Sequence, residues 1–134
     1  MIRELDSRTL VSGQIQPADV AQLKESGVTM VVCNRPDGEE AGQPTAAEIE
    51  RAAEEAGLQF RHVPIIRGIG PADVEMVQDA LEAAEGKVLL YCRSGNRSSL
   101  AWALARRGQG ASIEEVSRAV TEAGYDITPV EHLL

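Results

Sequence analysis

The sequence has no apolar run long enough to cross a bilayer, and its first residues, Met1-Ile2-Arg3-Glu4-Leu5-Asp6, lack the basic-then-apolar layout of a secretory leader. Both absences argue against a membrane or exported protein, and a cytoplasmic location is the expectation. Metal-ligand spacing is also missing. The two cysteines, Cys33 and Cys92, stand far apart with no CxxC pair, and there are only two histidines. No metal site and no disulfide framework are therefore expected. Positive charge is scarce: 13 Lys and Arg face 21 Asp and Glu, a formal net charge of −8. That balance argues against a general affinity for nucleic acid, whose phosphates need a clustered excess of cations. No repeat, low-complexity run or linker divides the chain. At 134 residues, with 43% hydrophobic and 25% charged content, it fits one globular domain over 1–134.

Short apolar runs alternate with punctuated helical patterns, the signature of βαβ units around a mostly parallel sheet flanked by helices. Pro17 opens a helix ending at Gly27. Thr45 and Glu48 form a capping box for a helix ending at Gly57, and Pro71 opens one ending at Gly86. Ser112 and Glu115 cap one closed by Gly124. Between them Val28–Cys33, Leu58–Val63 and Lys87–Tyr91 read as strands, and Thr9–Ser12 as a further one. In open α/β sheets ligands bind beyond the carboxyl ends of the strands. That places the loops Asn34–Pro44, Pro64–Gly70 and the segment after Tyr91 together, with the first folding over the site.

The segment after Tyr91 carries the chemistry. A buried strand delivers Cys92 into Arg93-Ser94-Gly95-Asn96-Arg97-Ser98, after which an amphipathic helix is expected. The N–H groups of residues 93–97, the helix N-terminus and the cations Arg93 and Arg97 surround the sulfur with donors and positive charge. They favour the thiolate, the nucleophilic form. Four residues separate Cys92 from Arg97. This Cys-x4-Arg loop resembles that of rhodaneses rather than the Cys-x5-Arg loop of protein tyrosine phosphatases. The larger ring wraps the oxygens of a transferring phosphoryl group, and the smaller suits one sulfane sulfur.

Further positions bear on family. Ser12-Gly13-Gln14 with Pro17, Asn34-Arg35-Pro36-Asp37-Gly38-Glu39 with Gln43-Pro44, the Cys92 loop, and Ala123-Gly124-Tyr125-Asp126 together resemble the phosphatase-like domain of the beta-lactamase-hydrolase-like proteins. The resemblance spans nearly the whole chain and implies a dual-specificity-phosphatase-like fold. Members occur alone or joined to a metallo-β-lactamase-type domain related to persulfide dioxygenases. It therefore implies a link to sulfide metabolism and a persulfide dioxygenase-type partner.

Tyrosine-phosphatase chemistry needs an acid to protonate the leaving oxygen. Pro64-Ile65-Ile66-Arg67-Gly68-Ile69-Gly70 occupies the expected place without a carboxylate, and Asp37 is the available substitute. The leading expectation is thus a cofactor-independent sulfurtransferase. Cys92 takes sulfane sulfur from thiosulfate or a small persulfide and passes it to a thiol, while Arg97 and Arg93 bind the donor's anionic end. The alternatives are a phosphomonoester hydrolase working through a cysteinyl-phosphate and a non-catalytic anion-binding or persulfide-sensing protein. Ser94, Gly95 and Asn96 complete the anion loop, and Ser98 either bonds the thiolate or caps the helix. Arg35 and Asp37 pair within their own loop, and Arg35 or Arg67 is a candidate for touching substrate. Cys33, His62 and Trp102 read as structural, with a resolving thiol the alternative for Cys33 and a rim ligand or proton carrier the alternative for His62.

Overall fold

The structure, a computed structural model, describes residues 2–134. Five strands, β1 (Ile2–Asp6), β2 (Thr9–Ser12), β3 (Val28–Cys33), β4 (Gln59–His62) and β5 (Lys87–Tyr91), form one sheet in the order β1-β2-β5-β3-β4. Every neighbouring pair runs parallel except β1 with β2. The strands and punctuation read from the sequence are present, with α1 (Val20–Glu25) preceded by a 3₁₀ turn over Pro17–Asp19, and α2 (Ala46–Ala56) and α3 (Pro71–Ala83) following. The Cys92 loop leads into α4 (Asn96–Gly108), then α5 (Ile113–Glu122) and a 3₁₀ turn over Thr128–Leu133.

Alternation along the central strands builds two cores. Met30, Val32, Val88 and Leu90 face α3, α4 and α5 on one side of the sheet. Val31, Cys33, Leu89 and Tyr91 face α1 and α2 on the other. Two features depart from the sequence reading. Ile2–Asp6 is a strand although three of its five residues are charged, a composition suited to a short edge that resists further pairing. And α4 is not amphipathic: every residue from Ser98 to Ala105 is buried. It runs between α3, α5 and the sheet. Its small residues let neighbours close in on all sides, and a helix without a wet face belongs in the interior.

Candidate active site

Strand register brings the chemistry to one edge. Tyr91 pairs with Ser12 on one side and Cys33 on the other, and Cys33 pairs with His62, so the loops leaving all four parallel strands emerge side by side. Cys92 follows Tyr91 and is fully buried (0% exposed). Its N–H donates to Ser12 O at 3.4 Å, and its Sγ accepts from the Gly95 N–H at 3.1 Å. Among the described residues this is the single amide bond to the sulfur, fewer than the ring over 93–97 expected above. The Asn96 N–H turns instead to Ser94 Oγ at 3.2 Å.

The loop is clamped from both sides. Gly95 adopts φ +96°, where side chains are strained, and a Cβ there would run into the Tyr125 hydroxyl. That hydroxyl donates to Ser94 O at 3.1 Å. On the opposite side a Cβ on Gly13 would come within 2.8 Å of Arg93 O, and the Gln14 N–H donates to the same carbonyl at 3.3 Å.

The arginines divide their work differently from the sequence expectation. Arg97 is gripped by Glu39, with Nη1 donating to Oε2 and Nη2 to Oε1, both at 2.8 Å, while Nη1 also donates to Ile65 O at 2.8 Å. This pairing foremost, helped by Arg35, holds the Glu39 carboxyl below the usual carboxylate range against the opposing effect of burial. Glu39 in turn raises Arg97, against burial, and the charge of Cys92 adds to it. Arg93 lies on the rim, 63% exposed, paired with Glu40 at 3.3 Å. Arg35 is 2% exposed and spent on the protein itself: Nε on Glu39 Oε1 at 3.0 Å, Nη1 on Gln14 Oε1 at 3.0 Å and Nη2 on Glu40 Oε1 at 3.2 Å. It braces the Asn34–Pro44 loop, with each nitrogen of its buried guanidinium bonded to a neighbouring side chain. Nor does it pair with Asp37, whose Oδ1 accepts from the Ala46 N–H at 2.8 Å and so satisfies the start of α2. Arg67 is exposed in the Pro64–Gly70 loop and, among the described residues, makes no hydrogen bond or ion pair.

Ser98 takes neither role foreseen for it. Its hydroxyl donates to Asn34 Oδ1 at 2.8 Å, and Asn34 Nδ2 donates to Val63 O at 3.0 Å, so a buried asparagine ties the ends of β3 and β4 to α4. The structural readings of Cys33, His62 and Trp102 agree with their surroundings. Burial, foremost, pushes the Cys33 thiol up, and its Sγ donates to Arg35 O at 3.3 Å. His62 Nε2 sits 3.1 Å from that same carbonyl, and Trp102 is buried in the core. Glu39, Glu40, Gln14, Asn34 and Tyr125 were not singled out as site residues from the sequence. All but Glu40 lie in the segments that carried the family resemblance, and no spacing rule assigns them a role.

The five-stranded, mostly parallel sheet, with a cysteine at the carboxyl end of a central strand and a tight loop leading into a buried helix, is that of a protein-tyrosine-phosphatase-like domain. More narrowly, the chain belongs to the family described as "Beta-lactamase hydrolase-like protein, phosphatase-like domain", whose model matches residues 2–112. The beta-lactamase hydrolase-like protein of Xylella fastidiosa (strain Temecula1 / ATCC 700964) is 33% identical over 128 residues, 94% of this chain and 30% of the relative. The chain thus spans under a third of the length of the curated relatives it matches. The solved structure of a candidate phosphatase from Neisseria meningitidis Z2491 superposes with a TM-score of 0.84 at 36% identity, covering 98% of this chain and 94% of that one. P. aeruginosa TpbA in complex with pTyr shares the fold, with a TM-score of 0.61 at 22% identity over 98% of this chain and 88% of that one. The family description and the Neisseria structure name the phosphatase class, which the sequence reading placed second, and neither mentions sulfur transfer. Among the described residues no helix is long and apolar enough to cross a membrane.

Proposed function

We propose that this phosphatase-like domain is a cysteine-dependent transferase for sulfane sulfur. The observation that carries the reading is a Cys-x4-Arg loop whose neighbouring carboxylates, among the described residues, are already engaged, Glu40 by Arg35 and Arg93. Asp37 is committed to the start of α2, Asp73 to the Gly70 N–H at 2.9 Å, and Glu39 is kept ionised by Arg97. Phosphomonoester cleavage leans on a free acid, whereas sulfite and thiolates leave unaided. In the proposed cycle the Cys92 thiolate attacks the outer sulfur of thiosulfate. A new S–S bond forms as the S–S bond of the donor breaks, and sulfite departs with the electron pair. An acceptor thiolate then attacks the outer sulfur of the Cys92 persulfide and leaves as a new persulfide, restoring the Cys92 thiolate. No step calls for a cofactor. The cytoplasm, where thiols stay reduced, suits both this chemistry and the two free cysteines, and a persulfide dioxygenase-type partner would consume the product.

A second reading, hydrolysis of phosphomonoesters through a cysteinyl-phosphate, is favoured by the family description and by the Neisseria structure. Intact mass after incubation with thiosulfate or glutathione persulfide, beside an aryl-phosphate assay, separates the two. Sulfur transfer gives one added sulfur, located on Cys92, with little phosphate release. Efficient phosphate release with no sulfur loading overturns it in favour of hydrolysis.

A further inference from the structure

The Pro64–Gly70 loop is fixed to the site at its base and open at its tip. Ile65 is buried; its N–H donates to Asn34 O at 3.0 Å and its carbonyl accepts from Arg97 Nη1 at 2.8 Å. The next side chain, Ile66, is 73% exposed, the most of any large apolar side chain among the described residues, and Arg67 beside it is exposed as well. Four arginines lie in the three loops at this edge of the sheet. Arg35, Arg93 and Arg97 each pair with Glu39 or Glu40, whereas Arg67, among the described residues, meets no carboxylate. A single exposed isoleucine or arginine is ordinary. Side by side, on a tip whose base bonds the guanidinium of Arg97, they set an apolar surface and an uncompensated positive charge at the rim of the mouth, in a chain of net charge −8.

We infer that Ile66 and Arg67 form the acceptor contact of this site, and that the acceptor is a low-molecular-weight thiol bearing a free carboxylate. The inference rests on the transfer proposed above, in which an acceptor thiolate attacks the outer sulfur of the Cys92 persulfide. The new S–S bond forms as the old one breaks, and the electron pair returns to Cys92. Cys92 is itself buried, so the attack comes from the open side of the mouth, past the rim. There Arg67 holds the acceptor's carboxylate through charge-assisted hydrogen bonds, and Ile66 covers its aliphatic part. Two side chains suit a small thiol, because a stable contact with a protein needs a far larger surface.

S-Methylglutathione, a carboxylate-bearing thiol with its sulfur blocked, tests the contact in Cys92→Ser without any turnover. Calorimetry should show it binding, with affinity about tenfold lower in Cys92→Ser/Arg67→Glu, where attraction becomes repulsion, and should show the affinity falling as salt is added. No binding, or equal binding to the Arg67→Glu protein, would overturn the inference. The dimethyl ester of the same compound, which has no carboxylate, should bind Cys92→Ser several-fold more weakly. Equal binding of ester and acid would overturn the inference even if the loop variant failed to fold. In the otherwise wild-type protein with thiosulfate as donor, glutathione should exceed 2-mercaptoethanol as acceptor in kcat/KM, and Arg67→Glu should erase that preference; a preference that survives would overturn it too. Sulfur loading of Cys92 is scored separately by intact mass, so failure of the transfer reading shows there and failure of the contact shows in the binding measurements.

Discussion

Cys92 and Gly95 carry the two sharpest consequences at the scale of single residues. Serine is close to cysteine in size, so Cys92→Ser should keep the fold, by circular dichroism, and lose transfer entirely. Sulfide or thiocyanate production surviving in the folded variant would remove Cys92 from the mechanism. Gly95→Ala meets two obstacles, a left-handed φ of +96° and the Tyr125 hydroxyl where its Cβ would stand. Strain at such a position is on the order of 1–3 kcal/mol, and the displaced loop would withdraw the Gly95 N–H from the sulfur. Denaturant unfolding should show that loss of stability together with impaired transfer. Gly95→Ala/Tyr125→Leu should recover only part of both, because relieving the clash leaves the backbone strain. Full recovery would show that φ does not matter here.

The Cys92 loop and the Asn34–Pro44 loop work as a pair at the scale of elements. The first supplies Arg97 and Arg93, the second supplies Glu39 and Glu40, and each cation meets its carboxylate across the mouth. Inserting one residue between Asn96 and Arg97 would widen the loop to Cys-x5-Arg. If taken up within the first turn of α4, it would also swing the Arg97 side chain by about 100° away from Glu39. The inserted protein should therefore lose sulfur loading, read by intact mass. It need not gain aryl-phosphate hydrolysis, since no proton donor arrives with the extra residue. Retained sulfur loading would show that ring size does not select the transferred group.

Acid stability expresses the same ion network in the whole molecule. The folded-state pKa of Glu39 lies below its unfolded value. Its contribution is therefore present above the ordinary glutamate pKa of about 4.3 and is lost as pH falls from there through the folded pKa. Trp102, the sole tryptophan of the chain and buried in the core, supplies the readout, since its emission should shift to the red on global unfolding. Followed this way, denaturant unfolding should show wild-type stability falling more steeply than that of Glu39→Gln as pH drops below about 4.3. The side chain is 25% exposed, so the difference should be modest and should shrink with added salt. Parallel curves would mean that the pair contributes nothing to stability.

The fold class, β2 to β5, the helix boundaries marked by Pro17, Thr45, Pro71 and Ser112, and the Cys92 loop itself were legible in the chain. Each rests on local chemistry: alternation of apolar residues, caps that satisfy orphan N–H groups, and a spacing between two residues in one short segment. The β1 edge was not legible, because charged residues at an edge pair with a neighbour that the sequence does not name. The same holds for α4, whose small residues become buried only once α3, α5 and the sheet close around it. The partners within the site were decided later still. Arg35 with Glu39 rather than Asp37, Ser98 with Asn34 rather than the sulfur, and Tyr125 against Gly95 are contacts between segments far apart in sequence or between rival neighbours in one loop. Local propensity cannot rank such contacts. The sequence by itself determined which strand presents a nucleophile and what kind of loop surrounds it. Only the tertiary structure, by laying the ends of four parallel strands side by side, decided which carboxylate and which backbone carbonyl hold Arg97.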